Sequence, residues 1–249
     1  MMIKLLILAV ISLKVDTLMI PWGSDVGELG IKIQSRQDAG PDYGPPAFDV
    51  EDGRLVFLDR FNKRVAFFDT DGKFIELYKV NGVYNNICLW NGEVILSADY
   101  SDSVKFTILK KFQHKEYTVK VGKPLIRNSV NYLKDYRTGT LFVTYKTLED
   151  ATIASYYMIF EGMPGDFRKG DVEKSTEEYA LVGYDSKGNE VLVKFDGKSF
   201  VFRRGKEVYK WDPIFYALID GSPYRIDRDG TLYIVNYKRE GVEILEVRW

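Results

Sequence analysis

The sequence predicts an all-β fold made of repeated four-stranded antiparallel sheets set around an axis, and three observations predict it. Runs of alternating apolar and polar residues replace helical periodicity everywhere after Pro21. Asp-Gly, Asn-Gly and related pairs punctuate those runs, and glycine tolerates the positive φ that tight hairpins require. A turn of this kind recurs at Gly53, Gly92, Gly139, Gly188 and Gly230, with spacings from 39 to 49 residues. That period belongs to arrays in which each unit is one sheet. A single sheet cannot bury both of its faces, whereas radial packing buries them and leaves only short edges. The expected architecture is a β-propeller of five blades, with six as the alternative if Gly162–Glu178 and the N-terminal stretch hide another unit.

Taken in order, the chain opens with a one-charge segment, Met1 to Lys4, followed by nine apolar residues, Leu5 to Leu13. Nine residues are too few for a membrane span, which needs about 20, but they fit a secretory signal. Residues 1–20 are therefore read as a signal peptide or N-terminal anchor, and 21–249 as one propeller domain. The segment carries no small-residue cleavage motif, since Lys14, Val15, Asp16 and Thr17 follow it.

The first full unit spans Phe48 to Val80. Strand A is Phe48–Val50, strand B Leu55–Asp59, strand C Arg64–Asp69 and strand D Phe74–Val80, with turns at Asp52-Gly53 and Asp71-Gly72. The same A–B turn precedes strands at Glu93–Ser97, Thr140–Tyr145, Asn189–Lys194 and Thr231–Asn236. The last unit ends at Trp249 without a strand D. An open edge is a liability, so an N-terminal strand is expected to complete it, with Gly30–Ser35 as the donor.

Gly44-Pro45-Pro46-Ala47-Phe48-Asp49-Val50 through Phe67-Phe68-Asp69-Thr70-Asp71-Gly72-Lys73-Phe74 resembles an NHL repeat, with Asp59, Asn62, Arg64 and Val65 in its N-x-R-V region. The resemblance covers about 33 residues, one unit of the five. It implies a β-propeller and little about chemistry, because propellers host many functions. Asn62 and Arg64 are expected to tie strand C to its neighbours.

Composition narrows the chemistry. Lys+Arg is 35 and Asp+Glu 36, so the net charge is −1 and no basic excess marks a nucleic-acid binder. One cysteine and one histidine exclude a disulfide framework, a cysteine-based zinc site and any mechanism needing two histidines. The single His114, placed in a C–D hairpin, also speaks against propeller lyases of the streptogramin type. Cys88 reads as a buried apolar residue. Phosphate-loop, dinucleotide, serine-hydrolase and zincin motifs do not occur in the sequence.

Two site readings remain. In a four-stranded blade the D–A and B–C connections share one face, and loops on a rigid scaffold are where binding resides. That loop face collects Arg60, Phe61, Tyr100, Lys146, Lys198, Tyr237, Lys238 and Arg239, whose cations and rings suit a protein or glycan ligand. The charge-rich excursion Asp166–Glu178 is a surface loop there. Alternatively, Asp49, Asp135, Asp185 and Asp227, with Asn86, precede the turn glycines on inner strands and offer hard oxygen ligands for Ca²⁺ or another divalent cation. This would resemble the divalent-metal lactonases among propellers, although their Glu-led motif does not occur here. The expectation is an exported, monomeric, non-catalytic binding scaffold without a cofactor, with the metal-dependent hydrolase or lactonase as the alternative. Nucleic acid is not an expected partner, and membrane contact is expected only through an uncleaved N-terminal segment.

Overall fold

A computed structural model describes residues 13–32, 42–45, 47–110, 113–149, 152–166, 168–170, 172, 178–213, 217–218 and 222–249. The chain begins with β1 (Lys14–Pro21) and the two-residue β2 (Asp42–Tyr43). Blade 1 is β3 (Ala47–Glu51), β4 (Arg54–Asp59), β5 (Arg64–Asp69) and β6 (Phe74–Lys79). Blade 2 is β7 (Asn86–Trp90), β8 (Glu93–Asp99), β9 (Ser103–Lys110) and β10 (Gln113–Lys120). Blade 3 is β11 (Asn131–Asp135), β12 (Thr140–Glu149), β13 (Thr152–Phe160) and β14 (Arg168–Lys169). Blade 4 is β15 (Ala180–Tyr184), β16 (Glu190–Phe195), β17 (Phe200–Arg204) and β18 (Glu207–Trp211). The short β19 (Ala217–Leu218) pairs in parallel with β2. Blade 5 is β20 (Tyr224–Ile226), β21 (Leu232–Tyr237) and β22 (Gly241–Arg248), and its outer strand is β1.

The fold is thus all-β, with five four-stranded antiparallel blades. All five turn glycines read from the sequence have positive φ, between 68° and 90°. At Asp52-Gly53 and Asn91-Gly92 both residues are in the left-handed region, the two-residue hairpin geometry whose twist matches the strands it joins. Inner strands of blades 3 and 4 also pair directly in parallel, Lys134 with Gly183 and Asp135 with Tyr184.

The ring closes through the N-terminus, but not through Gly30–Ser35. Lys14–Pro21 pairs with Gly241–Arg248 along its whole length, from Lys14↔Arg248 to Pro21↔Gly241. Its alternation decides this: Ile20 is buried and Leu18 half-buried against blade 1 and blade 5 side chains, whereas Lys14 and Met19 are exposed. The strand therefore lies within the segment read as signal or anchor, and the propeller extends N-terminal of residue 21. Gly30 has another task. A Cβ there would stand 2.6 Å from Asp59 Oδ1 and 2.8 Å from Phe61 Cβ, so the chain passes too close to the β4–β5 turn for any side chain.

Apolar seams hold the blades together. Phe48, Phe57 and Phe68 meet Tyr233 and Ile244 between blades 1 and 5. Val56, Phe67, Ile87 and Leu96 join blades 1 and 2, and Ile95, Phe106, Tyr132 and Tyr145 join blades 2 and 3. Phe202, Trp211, Ile226 and Ile234 join blades 4 and 5. Between blades 3 and 4 only Leu133, Leu181 and Leu192 are buried together among the described residues. Half-buried Phe142, Tyr179 and Tyr184 pack against them, and the direct pairing of β11 with β15 adds main-chain bonds to that seam.

Candidate functional site

Inner-strand groups of blades 1, 2, 3 and 5 meet one another. Asp49, from the inner strand of blade 1, accepts the Leu89 amide of blade 2 at 2.7 Å. Lys134 Nζ of blade 3 lies 2.8 Å from Asp49 Oδ2 and donates to the Val50 carbonyl at 2.7 Å. Arg225 of blade 5 brings Nε to 3.7 Å from Asp49 Oδ1. Asn86 of blade 2 donates to Val130 O at 2.8 Å. All four side chains are buried. Burial alone would lower the pKa of Lys134, but the Asp49 carboxylate together with the nearby Tyr136 and Cys88 outweighs it and raises it. Cys88 is fully buried nearby, and burial pushes its thiol up, so it is held as the inert thiol and not the nucleophilic thiolate.

The other three aspartates do not join Asp49. Asp135 holds its own turn, accepting Arg137 Nη2 at 2.8 Å and the Thr138 amide at 3.1 Å. Asp185 accepts the Lys187 and Asn189 amides at 2.9 and 2.8 Å and pairs with Arg204. Burial would raise its pKa, but the bonds from Asn189 and Arg204 prevail and lower it. Asp227 reaches into blade 1 and accepts the Asp52 and Gly53 amides at 2.7 and 2.8 Å. The expected metal set is therefore corrected. Three members bind turn amides at the rim, one binds cations on the axis, and no group of three or more metal-capable His, Cys, Asp or Glu exists among the described residues. Sequence reading missed Lys134 and Arg225. Their one signal was a cation on a strand otherwise fit for burial, Arg225 between Tyr224 and Ile226 and Lys134 after Leu133.

The N-x-R-V residues tie strand C to its neighbour as expected, and they reach further. Arg64 pairs with Asp59 at 2.9 Å and donates to the carbonyls of Ser24, Asp25 and Glu28 at 3.2, 3.1 and 2.7 Å. Asn62 donates to Asp59 and to Gly23 O at 2.8 and 2.9 Å. The cluster ties strand C to strand B through the Arg64–Asp59 pair and also grips the segment that follows the closing strand.

On the loop face the expected residues divide. Arg60 lies over the Phe61 ring at 5.7 Å. Tyr100, Lys198 and Arg239 are exposed in B–C turns. Lys146 is exposed but sits within β12, not in a loop. Lys238 is tied to Glu243 Oε1 at 2.5 Å. Tyr237 is a correction: it is 1% exposed, its hydroxyl donates to Pro45 O, and Trp22 packs edge-on against it at 5.6 Å. It is a core residue. Alternation along β21 does not reveal that, because the whole strand is buried, the polar Asn236 included. His114 stands on β10 opposite Leu109, exposed. Of the Asp166–Glu178 excursion, 167, 171 and 173–177 lie outside the described residues, as do 215–216 and the apolar run 5–12.

Sequence reading missed the apolar component of this face. Val26, Val83, Tyr100, Leu148, Ile153 and Phe195 are exposed, and all six lie in or beside D–A or B–C connections. A groove of about 520 Å³ opens there between blades 4 and 5, lined by Val193, Phe195, Phe200 and Tyr224. The Phe195 and Phe200 rings are 5.0 Å apart, and Phe200 and Tyr224 5.8 Å. Beside it on blade 3, Glu149 binds the Tyr156 hydroxyl, Lys123 at 2.9 Å and Lys169 at 3.3 Å.

No family model and no curated protein matches the chain. Among solved structures it is similar to virginiamycin B lyase from Staphylococcus aureus, at 11% identity over 96% of this chain and 100% of that one, TM-score 0.41. It is similar to a gluconolactonase from Xanthomonas campestris, at 13% identity over 78% and 69%, TM-score 0.40. A Bacteroides thetaiotaomicron protein of unknown function aligns at 10% identity over 95% and 77%, TM-score 0.47. By its own strand order and its N-terminal closure, the chain is a five-bladed β-propeller.

Proposed function

We propose that this protein is an exported, non-catalytic binding scaffold that presents its loop face to a protein partner. One observation carries the reading: large apolar side chains are left in water on that face, from all five blades or their junctions, beside the cations Arg60, Lys198 and Arg239. Six of the twelve large apolar residues exposed among the described residues lie on this face, and apolar groups rimmed by cations suit an interaction surface. Rings and cations at its centre are the residue types that dominate binding energy. The aromatic groove between blades 4 and 5 offers a pocket for an anchoring side chain.

Export rests on the apolar run Leu5–Leu13. Because the closing strand starts at Lys14, processing that spares the propeller falls at or before Leu13. The motif residues of the NHL-like unit hold the segment that follows the closing strand against the blade 1 B–C turn.

A photo-crosslinking amino acid placed at Tyr100 on the loop face, and separately at Val208 on the outer strand of blade 4, tests the reading in an envelope fraction. A discrete adduct from position 100 and none from 208 is the expected result. Adducts of equal yield from both positions, or none from position 100, would refute it. A glycan ligand would appear as loss of binding after deglycosylation of the fraction.

A further inference from the structure

We propose that two copies of this chain dimerise through the outer strand of blade 2, β10 pairing antiparallel with β10. The inference goes beyond the scaffold reading and does not rest on it. Among the outer strands β10 is the least guarded. It has eight residues, Gln113–Lys120, in unbroken register with β9 and without proline or glycine. The others carry features that deter edge pairing. β14 has two residues and β18 five, the register of β6 slips beside Phe67 and Phe68, and β1 ends in Pro21. The chain on both sides leads away from the outer edge of β10. Lys110 pairs with Gln113 at one end. At the other, Val121 and Gly122 donate to Asp102 O and Leu125 to Ser101 O, which turns the chain back over the B–C turn of blade 2.

The outward main-chain groups can be assigned. Val121 N donates to Asp102 O at 2.7 Å, one pair beyond the β9–β10 ladder, while Tyr100 N donates to Ser103 O on the opposite side of β9. Main-chain direction repeats every two residues along a strand. The N–H and C=O of His114, Glu116, Thr118 and Lys120 therefore point away from β9, and no described residue bonds them. Their side chains share one face, where Glu116 pairs with Lys105 at 2.8 Å and stays 48% exposed. Lys120 is exposed and forms no ion pair among the described residues. Tyr117 and Val119 take the other face, half-buried against the seam of blades 2 and 3.

Self-complementarity selects the second copy as the occupant. A two-fold axis normal to the sheet sets residues of the same face opposite each other. Registers centred on Lys115, Glu116 or Lys120 oppose like charges, which destabilises a strand pair. A centre at Tyr117 sets His114 against Lys120, and one at Val119 sets Glu116 against Gly122. The register centred on Thr118 sets Glu116 against Lys120 of the second copy, twice by symmetry, and Thr118 against itself, both favourable cross-strand pairs. These residues carry the outward groups, so each pair exchanges both main-chain bonds. Tyr117 then faces Val119 of the second copy in the closer, non-hydrogen-bonded pairs, which continues the apolar seam across the junction. β10 runs from its hairpin toward the loop face, so an antiparallel partner turns its own loop face the opposite way. The dimer is thus bivalent, with one loop face on each side.

Sedimentation velocity on the full chain tests this in a concentration series up to about 1 mM, where even weak pairing shows. Thr118→Pro removes an outward N–H and no bond to β9. Lys120→Glu sets carboxylates against each other, and Lys120→Glu combined with Glu116→Lys swaps the charges back into register. The expected result is a dimer fraction that rises with concentration, weakened about tenfold or more by either single variant and recovered by the charge swap. Amide exchange should slow at Glu116, Thr118 and Lys120 as the dimer forms. A wild type that stays monomeric throughout overturns the proposal, and so does a dimer that both single variants retain. Failure of the swap to recover pairing overturns the register and with it the proposal. Protection of those amides in the dilute monomer would mean that the chain fills its own edge, and overturns it too. Should Thr118→Pro melt early, the exposed Lys120→Glu and its charge swap decide alone.

Discussion

Lys134 Nζ meets Asp49 Oδ2 at 2.8 Å across the axis of the disc, joining blades 1 and 3, which are not neighbours in the ring. Apolar seams tie each blade only to the next, so this pair ties the ring through its centre. Asp49 also receives Leu89 N of blade 2 and faces Arg225 of blade 5. Four of the five blades therefore converge on one carboxylate.

Replacing Lys134 by Met leaves that carboxylate buried with its nearest cation at 3.7 Å. Removing one partner of a buried pair costs about 3–5 kcal/mol, more than the pair itself contributes. The urea midpoint of Lys134→Met is expected to fall accordingly, and Asp49→Asn in the same chain to restore part of the loss. A change below about 1 kcal/mol in the single variant would show that the axial pair does not hold the ring.

Closure by β1 separates two truncations. A chain beginning at Leu13 retains every pair from Lys14↔Arg248 to Pro21↔Gly241, and one beginning at Trp22 loses them all. Burial of Ile20 and Leu18 goes with them, at about 1.5–3 kcal/mol for each fully buried side chain. The first truncation is expected to melt like the full chain, and the second to melt lower and to aggregate through the bared edge of β22. Calorimetry and light scattering check both.

The grip of Arg64 on the carbonyls of Asp25 and Glu28 makes Arg64→Lys a poor replacement, because one ammonium cannot reproduce a planar fork of donors. A loss of about 1–3 kcal/mol is expected from the unsatisfied buried groups. Gly30→Ala acts on the same contact from the other side, since its methyl would lie 2.6 Å from Asp59 Oδ1. Combining the two variants should cost less than their sum, measured by denaturant unfolding in a double-mutant cycle.

Glu149 gives the loop face a pH signature. The Tyr156 hydroxyl, then Lys123 and Lys169, hold its pKa down from 4.5 to about 2. A depressed carboxyl favours the folded hairpin fully above the ordinary value and loses that contribution as pH falls from about 4.5 toward 2. A carbon-detected NMR titration should place the Glu149 midpoint near 2 and show it rising in Tyr156→Phe and Lys123→Met. An unchanged midpoint in both variants would remove these partners as the cause.

Strand repetition, blade number and the turn positions were legible in the sequence, because Asp-Gly and Asn-Gly pairs impose a backbone conformation locally, as the positive φ of Gly53 and Gly92 shows. Cys88 as a buried residue was legible for the same reason: it sits mid-strand between Ile87 and Leu89. The closing strand was hidden because Lys14–Pro21 continues directly from an apolar run, and a local pattern cannot say which distant strand will receive it.

By itself, then, the sequence determined where the chain turns and which residues alternate in each strand, since both follow from the conformational limits of neighbouring residues. Only the tertiary structure decided that Lys134 and Arg225, 91 positions apart in number, share one carboxylate. It also decided that Asp227 clamps the turn of another blade and that Tyr237 belongs to the core. Each of these depends on how five sheets are set around an axis, and long-range pairing of that kind arises only when the ring closes.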